Sequence, residues 1–197
     1  RKLRRKEGAN EAFIERRIHE LADQRARMRD PNRRALLARV AGLDVALASH
    51  DDRTEEEIAE NAADGIRISE FPVTMLAAQA ARARGMEVIA GAPNIVRGGS
   101  HSGNVSAAEL VRAGTVDAFA SDYVPASLVE AAFICAEQAG ITLPEAVALV
   151  TDRPARMARL ADRGRIAEGQ RADLVRVRLH QGQPVVRQVW RAGERVA

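Results

Sequence analysis

Four short apolar runs in this 197-residue chain end in side chains that can bind a cation or move a proton. The first ends Ser49-His50-Asp51-Asp52 and the second Ser69-Glu70. The third opens into a long polar stretch from Pro93 through Asn94 to Asn104, and the fourth ends Ser121-Asp122-Tyr123. An imidazole and a carboxylate on neighbouring strand ends suit a hard or borderline divalent cation. His50 and Asp122 are the natural pair. Taken singly, His50 reads as a hydrogen-bonded loop histidine and Asp122 as a helix cap ahead of Pro125. Four such endings in succession point instead to one shared site.

Residues 97–104 carry a second kind of chemistry. Gly98 and Gly99 are adjacent, so their backbone N–H groups are expected to be free to approach an anion closely. Arg97 offers a two-pronged guanidinium for phosphate oxygens. Ser100, His101, Ser102 and Asn104 add further donors, and a helix starting after Ser106 would present an electropositive N-terminus. A phosphate cradle is favoured over a plain Gly/Ser surface loop because charged and amide side chains interleave the glycines. The stretch lacks the terminal GK[ST] of a P-loop.

The elements that must position these residues follow a rhythm. Strands are expected at 44–50, 66–71, 86–92 and 116–122. Helices follow them, opened by Thr54-Glu-Glu-Glu57, Thr74, Ser106-Ala-Ala-Glu109 and Pro125. Repeated strand–helix units argue for an α/β fold with parallel pairing and helical crossovers, either a doubly wound sheet or a barrel. In both, chemistry gathers at the carboxyl ends of the strands. Thr142-Leu-Pro-Glu145 opens a later helix, and a small β appendage follows from Gly164, with a hairpin around Arg191-Ala-Gly-Glu194. Ahead of the strands, Ile14, Ile18, Leu21 and Met28 form one stripe of a helix that Pro31 is expected to stop, with a second helix running on to Val40. Three segments result: a helical arm over 1–43, βα units over 44–163 and the appendage over 164–197.

Composition narrows the class. No run approaches the roughly 18 apolar residues of a membrane span. The hydrophobic share of 46% excludes a disordered chain. Cys135 is the only cysteine, which excludes a disulfide framework and a cysteine-based zinc site and suits a reducing, cytoplasmic compartment. Residues 1–39 hold 13 basic against 6 acidic side chains, the pattern of a nucleic-acid arm. Yet 28 of the 30 basic residues are Arg, spread along the whole chain, and only Phe13 could stack a base in that arm. Neither nucleic acid nor membrane is expected as a partner. Cys135, His19, His180 and Trp190 read as packing or solvated residues.

The blocks Leu-Ala-Ser-His-Asp-Asp (47–52), Ser-Glu-Phe-Pro (69–72), the stretch from Gly91 to Asn104, and Ala-Ser-Asp-Tyr-Val-Pro-Ala-Ser-Leu (120–128) resemble the phosphonate-pathway diphosphatases of the amidohydrolase superfamily. The later blocks, 149–156 and 164–175, resemble the superfamily's usual ending. The resemblance implies the C-terminal half of a metal-dependent (β/α)8 barrel with a small β-sandwich appendage. It implies one or two divalent ions of zinc or manganese type. The implied substrate is a ribose 5-triphosphate carrying methylphosphonate at carbon 1, hydrolysed to the 5-phosphate and pyrophosphate. His50 would then bind metal, Asp122 would bind metal and accept a proton from water, and Glu70 would stand where the superfamily commonly has a second histidine. Arg97, Gly98, Gly99, Ser100, His101 and Asn104 would hold phosphate, with Asp51, Asp52, Asn94 and Tyr123 behind them. The expected partners are a small phosphorylated substrate, the N-terminal half and a second copy in a homodimer. The family's first metal-binding motif has no counterpart before residue 40, so the chain is expected to begin about halfway through such an enzyme. The alternatives are another amidohydrolase activity, on a cyclic amide or an N-acetyl sugar, or a half-chain without activity of its own.

Overall fold

The computed structural model of the chain describes residues 11–100 and 103–197. It falls into two units that divide between Val45 and Ala46. In the first, α1 (Glu11–Val40) is one continuous helix with Pro31 inside it and none of its residues buried. The expected break at Pro31 is therefore corrected. Proline's fixed φ is compatible with a helix, and its cost is one missing N–H and crowding of the preceding turn. On an exposed helix, water can satisfy the Arg27 carbonyl that Pro31 leaves without its helical donor.

The second unit begins with four strand–helix units. Strand β1 (Ala48–His50) leads to α2 (Glu55–Ala63), and β2 (Ile68–Glu70) to α3 (Met75–Ala83). Strand β3 (Glu87–Gly91) runs directly into a short helix, α4 (Ala92–Arg97), and then α5 (Ala107–Arg112). Strand β4 (Ala118–Ala120) precedes α6 (Ser127–Gln138), α7 (Leu143–Ala148) and α8 (Asp152–Met157). The four strands form one parallel sheet in the order β1-β2-β3-β4. Parallel neighbours of this kind need crossover connections, which the intervening helices supply.

Strand alternation divides the sheet's two faces. On one, Val88 joins Ile58, Met86 and the buried alanines of α3, while Ala90 and Phe119 join Leu110, Cys135 and Leu149. On the other, Ile68 and Ala118 meet Met157, with Ile89 packed against them. The helical face uses many alanines, including Ala77, Ala78, Ala81, Ala131 and Ala132. Such small side chains let helices lie close to the sheet at little cost in side-chain entropy.

The appendage is a three-stranded antiparallel sheet of β5 (Leu174–His180), β6 (Gln183–Arg191) and β7 (Glu194–Arg195). A bulge between Arg176 and Val177 shifts the β5–β6 register. No helix among the described residues is long and apolar enough to cross a membrane.

A cleft at the carboxyl ends of the parallel strands

The β1–β2 register sets His50 opposite Glu70, on one face, and Ser49 opposite Ser69, on the other. Immediately past the strands the backbone enters the left-handed region at three residues that are not glycine: Asp51 (φ 61°), Phe71 (φ 55°) and Asp122 (φ 47°). Asp accepts that conformation more readily than most, whereas an aromatic residue there is an outlier. Such outliers concentrate where a fold holds functional groups. The loops are also laced together. Asp51 N–H donates to the Glu70 carbonyl at 3.0 Å, Phe71 N–H to Ile89 at 2.9 Å, and Val105 N–H to Val73 at 3.0 Å.

These strand ends surround a cleft of about 390 Å³. Its lining includes His50, Asp51, Phe71, Asn94, Arg97 and Asp122. Gly99, Ser100, Asn104 and Tyr123 line it as well. The His50 ring meets Phe71 edge-on at 5.3 Å, and its Nδ1 lies 3.3 Å from Asp51 Oδ2. Arg97 Nη2 donates to the Tyr123 hydroxyl at 2.7 Å. Ser100 Oγ accepts the Asn104 N–H at 3.2 Å, which tightens the loop. His101 lies outside the described residues.

Several expected site residues do other work. The segment after β3 is not all loop, because α4 runs to Arg97 with Gly98 as its left-handed cap (φ 81°). Gly98 N–H donates to the Ile95 carbonyl and Gly99 N–H to Asn94, both at 3.0 Å. The expectation of free glycine amides for an anion is thus corrected: both close the helix C-terminus. The start of α5 is capped as expected, and two of its N–H groups already have partners. Ala107 N–H is bound by Asn94 Oδ1 at 3.0 Å and Ser106 N–H by Glu109 Oε2 at 3.2 Å. Asn94 therefore ties α4 to α5. Glu70 is half-buried beside His50 and does not line the cleft. Asp52 is buried beneath it, held by Ser49, Asn61 and Ser69.

No group of three or more His, Cys, Asp or Glu able to hold a metal ion occurs among the described residues. His50 and Asp122 offer one nitrogen and one carboxylate at a shared cleft. A closed zinc site uses four ligands and a catalytic one three with an open position, so these two groups alone complete neither. Sequence reasoning missed Phe71, whose edge contact and left-handed backbone no local signal announces. It also missed α4, too short to show a helical period.

The amidohydrolase family's sequence model matches residues 9–197. The chain is 51% identical over 173 residues to the α-D-ribose 1-methylphosphonate 5-triphosphate diphosphatase of Escherichia coli (strain K12), covering 87% of this chain and 46% of that protein. Among solved structures it is similar to the A. niger ochratoxinase (TM-score 0.61, 16% identity, 81% of this chain and 43% of that one). It is also similar to an amidohydrolase from Thermotoga maritima MSB8 (TM-score 0.59, 21% identity, 77% and 43%). The chain spans about half the length of these proteins. On the family match over nearly its whole length, the chain belongs to the amidohydrolase family.

Proposed function

We propose that this chain forms the C-terminal half of a metal-dependent diphosphatase. Its substrate is a ribose 5-triphosphate carrying methylphosphonate at carbon 1, and its products are the 5-phosphate and pyrophosphate. The observation that carries the reading is the convergence of His50, Asp122 and Arg97 on one cleft. A proton acceptor, a metal-binding imidazole and a phosphate-binding fork are the groups that such a hydrolysis needs. The relative that is 51% identical is named for this reaction and gives the substrate. In this reading the four parallel strands are half of an eight-stranded barrel, and the three-stranded sheet is part of a β-sandwich. A (β/α)8 barrel takes about 250 residues, roughly twice the length of the βα units here. The complementary half would then be this chain's structural partner.

Amidohydrolases are generally metal-dependent. His50 and Asp122 would hold the ion, of zinc or manganese type, with further ligands from outside the described set. When bound, the ion lowers the pKa of a water and draws charge from phosphoryl oxygens. Asp122 accepts the proton of the attacking water, its position beside the cleft set by the turn after β4. Arg97 would exchange its bond to the neutral Tyr123 hydroxyl for phosphate oxygens, a contact in which donor and acceptor are both charged and which can be bidentate. Ser100 and Asn104 would orient the phosphate chain, and His101 would assist.

Asp122→Asn in the full-length enzyme removes the proton acceptor but keeps the side chain's size. Pyrophosphate release should fall by about 10²–10⁴-fold. Turnover near the unmodified level would rule the assignment out. Hydrolysis of a cyclic amide or N-acetyl sugar in preference to the triphosphate would replace the substrate while keeping the site.

A further inference from the structure

Asp52 is only 4% exposed. Ser69 Oγ donates to its Oδ2 at 2.5 Å, Ser49 Oγ to the same oxygen at 2.6 Å, and Asn61 Nδ2 to Oδ1 at 2.7 Å. Its backbone carbonyl accepts the Val73 N–H at 2.9 Å. Among the described residues no cation pairs with it. A carboxylate buried on neutral donors alone is costly, so a fold that keeps one gains something other than attraction between charges.

Geometry shows what it could gain. The three donors come from β1, β2 and α2, so the carboxylate pins two strand ends to a helix on the helical side of the sheet. Ser49 is thereby fixed on that side. Pleating then sends His50, the next residue, to the opposite face, beside Glu70 and into the cleft lining. The chain can come back to the Asp52 clamp so soon because Asp51 adopts the left-handed conformation (φ 61°). Backbone bonds hold the same turn from the β2 side, with Asp51 N–H donating to the Glu70 carbonyl at 3.0 Å and Thr74 Oγ1 to the Arg53 carbonyl at 2.7 Å, but the Asp52 carboxylate is what joins it to α2 through Asn61. Ser49 Oγ also lies 3.3 Å from the Ile68 carbonyl, a longer contact than the one it makes to Asp52.

We propose that Asp52 is the positioning residue for His50: its buried carboxylate, clamped by Ser49, Ser69 and Asn61, fixes the turn that aims the imidazole into the cleft. The proposal rests on the reading of His50 as a metal ligand. Groups standing behind metal ligands typically change affinity by 10–100-fold when removed.

The test uses the full-length enzyme, with zinc affinity measured by chelator competition, steady-state hydrolysis of the triphosphate, and thermal melting. Asp52→Asn keeps the shape but places an amide among the clamp's donors. The expected result is a folded variant whose zinc Kd rises by about 10–100-fold. Its kcat should fall while KM changes little. Introduced on top of His50→Ala, Asp52→Asn should weaken zinc binding no further, because residues acting through one another are not additive. A lowered melting temperature with unchanged zinc affinity would show a merely structural role and overturn the proposal. Additive losses with His50→Ala would overturn it as well. If Asp52→Asn does not fold, Ser69→Ala removes a single donor, and a several-fold loss of zinc affinity is expected; an unchanged affinity would again overturn the proposal. An unmodified enzyme that binds zinc but leaves the triphosphate intact would defeat the diphosphatase reading, while the zinc comparison still decides the role of Asp52. An unmodified enzyme that binds no zinc would defeat both.

Discussion

Cys135 lies at 1% exposure in α6, among the alanines and leucines packed on the sheet's helical face. Burial pushes its thiol up to about 11, with Arg112 opposing only part of the effect. A rise of two units over an ordinary thiol leaves about 100-fold less thiolate at any pH below both values. The native chain should therefore react with a disulfide-exchange reagent at least about 100-fold more slowly than the same chain in denaturant, followed by absorbance at about pH 8. Comparable rates would mean that α6 opens readily or packs elsewhere. His50, Asp122 and Arg97 are exposed and face solvent at the cleft, where a ligand can reach them, whereas the one soft nucleophile is sealed away. Residue type marked these side chains as candidates. It did not announce that the amides of Gly98 and Gly99 are already bound, since that depends on where α4 ends.

Elements are held by caps and by a charge cluster at the amino ends of the strands. Thr54 and Thr74 each accept an N–H of their helix's first turn, at 3.2 and 3.0 Å. At the far end of the sheet from the cleft, Asp117 Oδ2 accepts from Val88 N–H at 2.8 Å and pairs with Arg82 at 2.6 Å, joining α3 and β3 to the start of β4. Glu87 lies in this cluster, and partial burial followed by the neighbouring Asp117 charge raises its carboxyl above the usual value, against opposition from Arg156 and Arg82. A raised folded-state pKa means that the folded state binds the proton more tightly. The favourable contribution is then full below the unfolded pKa and is lost as pH climbs through the folded value. Glu87→Gln removes that dependence. The variant should gain stability relative to the parent as pH rises from about 4 to 7, read by urea denaturation at several pH values. A constant difference across that range would show that Glu87 does not titrate differently on folding.

For the molecule as a whole, the junction between the parallel sheet and the three-stranded sheet matters most. Gly164 sits there at φ 101°, and a Cβ on it would come within 2.8 Å of the Asp152 Cα and 2.9 Å of the Ala155 Cβ. Both neighbours belong to α8, whose Met157 packs against Ile68 and Ala118 on the sheet. Gly164→Ala combines a forbidden backbone angle with a backbone clash, so it should cost about 2–4 kcal/mol in denaturant unfolding. A loss below about 0.5 kcal/mol would mean that the junction is free to shift. The three-stranded sheet carries an apolar face, with Val175 at 54%, Leu179 at 55% and Val186 at 45% exposure. The parallel sheet has β1 and β4 at its edges, each paired on one side only. Both features agree with the proposed complementary half, because bare strand edges and apolar sheet faces are what folds cover.

The alternation of apolar runs and capped helices determined the parallel direction of the strands, because strand–helix repeats return each strand the same way, whereas their sequential order was decided only by the tertiary structure. The residue types at the strand ends likewise determined which chemistry was available. Sequence spacing could not show that Pro31 sits within a continuous helix, since local rules treat proline as a stop whether or not water can satisfy the freed carbonyl. Nor could it separate the two adjacent aspartates of the first strand end. Asp51 and Asp52 are the same residue type one position apart, yet one lines the cleft and the other is buried under it. Only the tertiary structure decided that, because the difference arises from the left-handed turn at Asp51 and from donors brought in by β2 and α2, elements separate from the one that carries the pair.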